Sequence, residues 1–415
     1  MHPFTVLFAT LLVAGLALRL WLLGRQIRAV GAGRERVPAA FAGAISAGQH
    51  AKAADYTIAL ASFSRLHAVI DACLLLVFTI GGGIAWIDSA IAGSGMSGLG
   101  RGVTVIAAVA LALAVLALPF EIWRTFRIEA QFGFNRTTPA LFAMDHLKGL
   151  VISALILGPL VTLLLWLFGR AGDDWWWWAW SAWAAFSLSM SWAWPRLIAP
   201  LFNKFRELPD GALRAGVIEL ARRCGFEPSG VFVMDGSRRS AHGNAYFTGL
   251  GKAKRIVFFD TLLEALGPGE VEAVLAHELG HFRLRHVAWR IVWSLVASFA
   301  GFALLAWLAG EQWFQPALGV TGGGPQTLFL LFVLAAPVFL LPVGPLAAWL
   351  SRRHEYAADA FASRHADAAA LSSALVKLYR DNATTLTPDP LYTAFHASHP
   401  SAIDRIDRLE VRTAG

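Results

Sequence analysis

His277-Glu278-Leu279-Gly280-His281 reads H-E-x-x-H within a segment of helical character. Four-residue spacing places both imidazoles on one helix face, about one turn apart. Two histidines so placed can grip a zinc ion from one side. Glu278 then stands beside the metal, where it can take a proton from an attacking water. Pro268 falls where a first helical turn favours proline, and Glu270 and Glu272 suit the positive end of the helix dipole. A helix is therefore expected from Pro268 through the motif.

Working outward, the segment 196–286 is the first sizeable water-soluble piece of the chain. Leu208-Pro209-Asp210-Gly211 is a turn, and a helix follows it to about Cys224. Three short strands are expected at 230–235 (GVFVMD), 244–249 (NAYFTG) and 255–260 (RIVFFD).

The remainder is of another kind. Hydrophobic residues make up 56% of the 415, and the mean hydropathy is +0.55. A soluble domain must cover its core with polar surface and rarely reaches such values. Apolar runs recur at 4–23, 68–87, 103–122, 149–169, 175–195, 287–309 and 327–350. Each is near the ~20 residues that a helix needs to cross a bilayer. The expectation is a mainly α, polytopic membrane bundle of seven transmembrane helices. Its parts are a membrane portion 1–195, a catalytic segment 196–286, two further spans in 287–350, and a C-terminal segment 351–415. The prolines of the last span, Pro337, Pro342 and Pro345, predict a kinked or broken helix. The tryptophans at 175–178 read as an interfacial aromatic belt.

Charge sorts by side. The loops 24–67 and 123–148, the segment 196–286 and the tail after 350 are rich in Lys and Arg. The opposite loops hold only Arg101 and Arg170. This bias predicts the N-terminus outside, with the long segment and C-terminus in the cytoplasm. It also accounts for the net charge of +7, so no nucleic-acid partner is expected. Met1-His2-Pro3-Phe4 lacks a basic residue and no small-residue cleavage site follows, so the first run reads as a retained anchor. Cys73 lies in a span and Cys224 in the cytoplasmic segment, which argues against a disulfide.

A catalytic zinc usually takes three protein ligands and keeps one position open. Glu355, in Arg352-Arg353-His354-Glu355-Tyr356-Ala357-Ala358-Asp359, is the best candidate for the third. Asp359 follows it by one turn on the same face, where it could accept a hydrogen bond from a ligating histidine. His354 is a rival ligand about a quarter-turn away. His281 shortly precedes one span and Glu355 shortly follows another, so the metal belongs near the cytoplasmic membrane boundary. From the residues alone, His286 and His67 read as ordinary interfacial histidines, Asn244 as a turn residue and Arg405 as part of a solvated helix face. Arg19, Asp71, Glu121 and Arg290, at span ends, could line an interior chamber; Arg19 and Arg290 can equally snorkel.

These residues together resemble a type I CAAX prenyl protease, a zinc-dependent, seven-span membrane family, in a bacterial version. The likeness rests on Phe132-Gly133-Phe134-Asn135-Arg136-Thr137-Thr138, Pro200-Leu201-Phe202-Asn203-Lys204-Phe205 and His242-Gly243-Asn244-Ala245-Tyr246-Phe247. It also rests on the zinc motif, on Glu355 with Asp359, and on Ser398-His399-Pro400 with Arg405. Ser401 and Gln131 depart from the usual pattern without touching the metal.

The resemblance implies a zincin-like α/β catalytic portion with a short sheet, and one Zn2+ per chain on His277, His281 and Glu355. It implies Glu278 as general base, and His399 and Arg405 as groups that line the site and stabilise an oxyanion. Asn244, Ala245, Tyr246 and Phe247 would bind substrate, the strand backbone pairing with an extended peptide. The implied reaction is hydrolysis after a prenylated cysteine near a substrate's C-terminus, with membrane lipids as surroundings and a bacterial inner membrane as location. A broader quality-control protease is the alternative within the family. An ion transporter and an inactive binding protein for lipidated chains are rivals of other classes. The centres of several spans lack ionisable groups, and Glu278 is intact, which count against them.

Overall fold

The computed structural model describes residues 1–248 and 255–413. Helices dominate. Pro3–Gly33, Ala47–Phe78, Gly98–Glu129, Pro139–Arg170 and His286–Gly310 are long and apolar enough to cross a membrane. A bent pair, Pro325–Phe339 and Val343–His365, meets at 67° and has the same length and apolar character only when taken together. Pro337, Pro342 and Pro345 crowd this bend, and each removes a backbone donor that a straight helix would use. The remaining expected span is also helical, at Trp175–Ala193. It is not among the helices apolar enough to cross by hydropathy, because indole counts as weakly polar on such scales.

One expected boundary is wrong. The run 68–87 is not one helix: Ala47–Phe78 ends, and a new helix runs Gly83–Gly93. Gly82 adopts φ +77°, which glycine tolerates and other residues resist. Gly319 packs so tightly here that a Cβ on it would strike the Thr79 carbonyl. The membrane-crossing stretch therefore lies earlier, within Ala47–Phe78. An apolar core around Phe8, Ile84, Trp175, Phe314 and Leu331 binds this end of the bundle. Buried Asp88 adds a polar pin, accepting from Arg101 Nη2 at 2.6 Å and Gln326 Nε2 at 2.9 Å.

A four-stranded mixed sheet forms in the polar segment. β1 (Phe205–Glu207), β2 (Gly230–Met234), β3 (Ala245–Thr248) and β4 (Arg255–Phe259) lie in the order β1-β2-β4-β3. β2 and β4 are parallel, and both outer pairings are antiparallel. Three strands match expectation; Gly249, placed in the second of them, lies outside the described residues. β1 was not anticipated, since Phe-Arg-Glu carries no strand pattern. β3 pairs only with β4, so among the described residues its other edge is open.

The helix Ala212–Arg223, the sheet, the motif helix Pro268–Arg283 and the helices Val343–His365 and Ala368–Asp381 share one apolar core. Parts of the chain on either side of 287–342 thus share one core among the described residues. Leu220, Phe226, Ile256, Phe258, Leu275 and Leu279 lie at its centre.

Candidate metal centre

The motif helix begins at Pro268, and Glu270 Oε2 accepts from the Gly267 N–H at 2.7 Å, satisfying an orphan donor of the first turn. Residues 273–280 are buried with one exception, Glu278. This helix lies against Val343–His365 through Gly280. A Cβ there would come 3.1 Å from Ala358 Cα and 3.2 Å from its carbonyl oxygen. Glycine thus permits the close approach that brings the histidines of one helix to the glutamate of the other.

His277, His281 and Glu355 converge as a triangle. Nε2 of His281 is 3.2 Å from Nε2 of His277 and 3.2 Å from Glu355 Oε1; His277 Nε2 is 3.5 Å from Glu355 Oε2. A tetrahedral zinc ion with bonds of about 2.0–2.1 Å has ligand edges of about 3.3–3.4 Å, and these three separations, two of which end on different oxygens of Glu355, are of that size. The donor chemistry agrees. Two imidazole nitrogens and a carboxylate turned on one another are a donor set that zinc takes. Glu355 Oε2 is buried and lies 2.8 Å from His399 Nδ1, yet no donor meets it in hydrogen-bond geometry. His354, the rival ligand, stands outside the triangle.

The two histidines are backed differently. His277 Nδ1 lies 2.8 Å from Asp359 Oδ1 and donates to it, which leaves Nε2 as the free lone pair. Asp359 in turn accepts from Arg405 at 2.6 and 2.9 Å, both residues being buried. Burial opposes charge on His277, but the hydrogen bond to Asp359 and the nearby Glu355 carboxylate prevail and raise its pKa to about 9. His281 Nδ1 instead meets His286 Nδ1 at 3.1 Å, and His286 stacks on His354 at 3.9 Å.

His286 is therefore not the ordinary interfacial residue that its position suggested. Nor is Arg405 solvated: its helix, Ala402–Thr413, presents it inward at 6% exposure. The signal for His286 was its closeness to the motif. It was hidden because Arg285, at φ +59°, breaks the helix and turns the chain back.

His399 reaches Glu355 from the open side, its side chain 62% exposed. Asn244 is exposed, and its Oδ1 accepts from the Ala245 N–H at 2.8 Å, a local turn bond. Ala245 is buried. Phe247 packs its ring on Phe226 and Phe282, and Tyr246 faces Phe259. What these residues offer a ligand is chiefly the open backbone edge of β3.

Arg239, not singled out from the sequence, secures the approach to that strand. It grips Asp145 at 2.8 and 3.0 Å, Asn203 Oδ1 at 2.7 Å and the Phe202 carbonyl at 2.8 Å. Its own carbonyl accepts from Arg136 N and Thr137 Oγ1. Residues 132–138 and 200–205 thus meet at the chain leading into β3.

Residues 26–204 match the description "CAAX prenyl protease N-terminal, five membrane helices", and residues 207–413 match "Peptidase family M48". The chain belongs to the M48 peptidase family. The CAAX prenyl protease 1 homolog of Mus musculus is 31% identical over 458 aligned positions, covering 97% of this chain and 95% of its own. That of Oryza sativa subsp. japonica is 36% identical over 310, covering 74% and 72%. The crystal structure of S. mikatae Ste24p matches at TM-score 0.90 and 29% identity, covering 99% of both chains. M48 peptidases are zinc-dependent, and this chain is an integral membrane zinc metalloendopeptidase.

Proposed function

We propose that the enzyme cleaves prenylated, CAAX-type protein C-termini at a single zinc held by His277, His281 and Glu355. The observation that carries this reading is the three-donor triangle beside Glu278, the one open residue on an otherwise buried stretch of helix. When bound, the ion would polarise the scissile carbonyl and acidify the attacking water. Glu278 takes the proton and passes it to the leaving amine. His399, exposed and aimed at the triangle, donates to the developing oxyanion. Arg405 is engaged on Asp359, and its Nη1 is 3.7 Å from Glu355, so it holds His277 in place and supplies positive charge from behind the ligands. The open edge of β3 pairs with an extended substrate from Asn244 to Phe247.

In this reading the helix Trp175–Ala193 is the seventh span, its indoles at the interface. The catalytic portion is zincin-like and faces the cytoplasm, the N-terminus lies outside, and the setting is a bacterial inner membrane. Positive residues crowd the loops on the catalytic side, which supports the orientation.

The test is cleavage of a farnesylated CAAX peptide by the detergent-purified protein, beside Glu278→Gln and beside a zinc chelator. Cleavage lost in both controls supports the proposal. A protein that binds one zinc but leaves the peptide intact overturns the substrate. Pairing through a backbone edge tolerates many side chains, which favours the quality-control alternative in that event.

A further inference from the structure

Two cavities lie next to each other, sharing wall residues, where the spans meet the C-terminal segment. The upper one, about 630 Å³, is lined by Tyr56, Ser64, Asn382, Thr384 and Tyr392 among others. The lower, about 200 Å³, is walled by Leu74, Leu75, Phe78, Leu113, Leu116 and Leu334. His67 and Phe120 line both. A polar collar marks the junction: His67 Nδ1 is 3.0 Å from Asp71 Oδ2, and Arg19 Nη1 is 3.8 Å from the same oxygen. Ionisable side chains inside spanning helices are costly and seldom without a task.

A wall residue of the upper cavity holds the chain just before the proposed substrate strand. Asn382 Oδ1, on its wall, accepts from the Gly243 N–H at 3.1 Å and lies 3.2 Å from His242 Nδ1, just before β3. A peptide on the β3 edge therefore borders a polar chamber whose floor is dry. From His67 to Phe78 the second helix rises about 16 Å, room for several isoprene units.

We infer that the lower cavity is the binding site for the substrate's isoprenoid chain. The inference rests on the prenylated substrate proposed above. The charges argue for this occupant over a bilayer phospholipid. Arg19 is paired with Asp71, and Arg124 with Glu129 at 3.6 Å, while Glu121 meets His146 at 2.8 Å. No free cation among these awaits a phosphate, whereas a neutral thioether carrying hydrocarbon brings no charge that would need a counterion there. The apolar lining then contributes affinity in proportion to the methylenes it covers.

Ala117 lines the lower cavity, and Val115, on the same helix, is 58% exposed and lines neither. Ala117→Trp should raise KM for a farnesylated peptide about tenfold relative to its unlipidated counterpart, the equivalent of displacing about two methylenes. Val115→Trp should leave that ratio unchanged. In parallel, Glu278→Gln protein is photolabelled with a peptide carrying a diazirine on its farnesyl group. Labels should fall within 67–78 and 113–120 and be suppressed by excess unlabelled farnesyl peptide. Labels elsewhere, suppression by phospholipid alone, or an unchanged KM ratio in Ala117→Trp overturns the site. Specific labelling there without cleavage by the wild type keeps the site and rejects the proposed reaction; cleavage with labels elsewhere does the reverse.

Discussion

The two histidines of the triangle, one helical turn apart, stand in contrasting surroundings. Behind His277 lies a buried charged pair, Asp359 with Arg405, which fixes the tautomer and makes the imidazole more basic. Behind His281 lies a neutral stack, His286 on His354, which can orient the ring through one shared proton but adds no full charge. The difference teaches that the two imidazoles are held by different physics. With zinc in the proposed site, the charged side would set how strongly the metal is bound and the imidazole side where the second ring points. Glu278, on neither side, would be left to move the proton.

The largest effect should come from the residue that belongs to neither side. Glu278→Gln should lower kcat by about 10²- to 10⁴-fold, the usual worth of a general base, while one zinc per chain remains. Metal analysis beside peptide cleavage checks this; loss of zinc in the variant would tie Glu278 to the ligand set.

On the charged side, Asp359→Asn should weaken zinc affinity by about 10- to 100-fold, measured by chelator competition. It should also destabilise the metal-free protein, since buried Arg405 loses its hydrogen-bonded anion and keeps only Glu355 at 3.7 Å, at up to about 3–5 kcal/mol. A pH series sharpens the point. In metal-free protein the pKa of His277 is about 9, so below that pH zinc must displace a proton. Zinc affinity should therefore rise with pH up to about 9, roughly tenfold per unit where one proton is released. Asp359→Asn removes a bond that holds the proton and should flatten the rise at its upper end.

These expectations show what one-dimensional reading can reach. His277, His281, Glu355 and Asp359 were legible because their relations are i to i+4 on single helices, and helix geometry converts that spacing into a shared face. From the residues alone Arg405 reads as solvated and His286 as interfacial, because burial depends on which neighbour covers a face, and no periodicity encodes that; only the resemblance placed Arg405 in the site. The interruption at 79–82 was missed although Gly81-Gly82-Gly83 marked it in the sequence: Gly82 takes φ +77° there, and the close approach of Gly319 fills the break. The broken last span, by contrast, was announced by three prolines, whose effect is local to the backbone.

Gly280 belongs to both sides at once, since it sets the distance between the two helices. Gly280→Ala introduces a Cβ at 3.1 Å from backbone that has no side-chain freedom to yield. Overpacking of this kind costs about 1–3 kcal/mol, which a thermal melt should show. If the helices separate to accommodate it, zinc affinity falls with stability; if affinity is untouched, the triangle does not depend on this contact.

The smallest effect, and the one that most directly tests the contrast, is on the imidazole side. His286→Phe keeps an aromatic ring to stack on His354 but removes the nitrogen that meets His281 Nδ1. If that nitrogen orients His281, zinc affinity should fall by about tenfold, the lower end for such partners. His286→Asn loses the stack but restores a polar group able to reach the same position, and should recover part of the loss. The opposite ranking, with Phe equal to wild type and Asn weaker, would make the contribution one of packing. In that case the triangle would be oriented electrostatically from the Asp359 side alone, and His281 would be held by its helix.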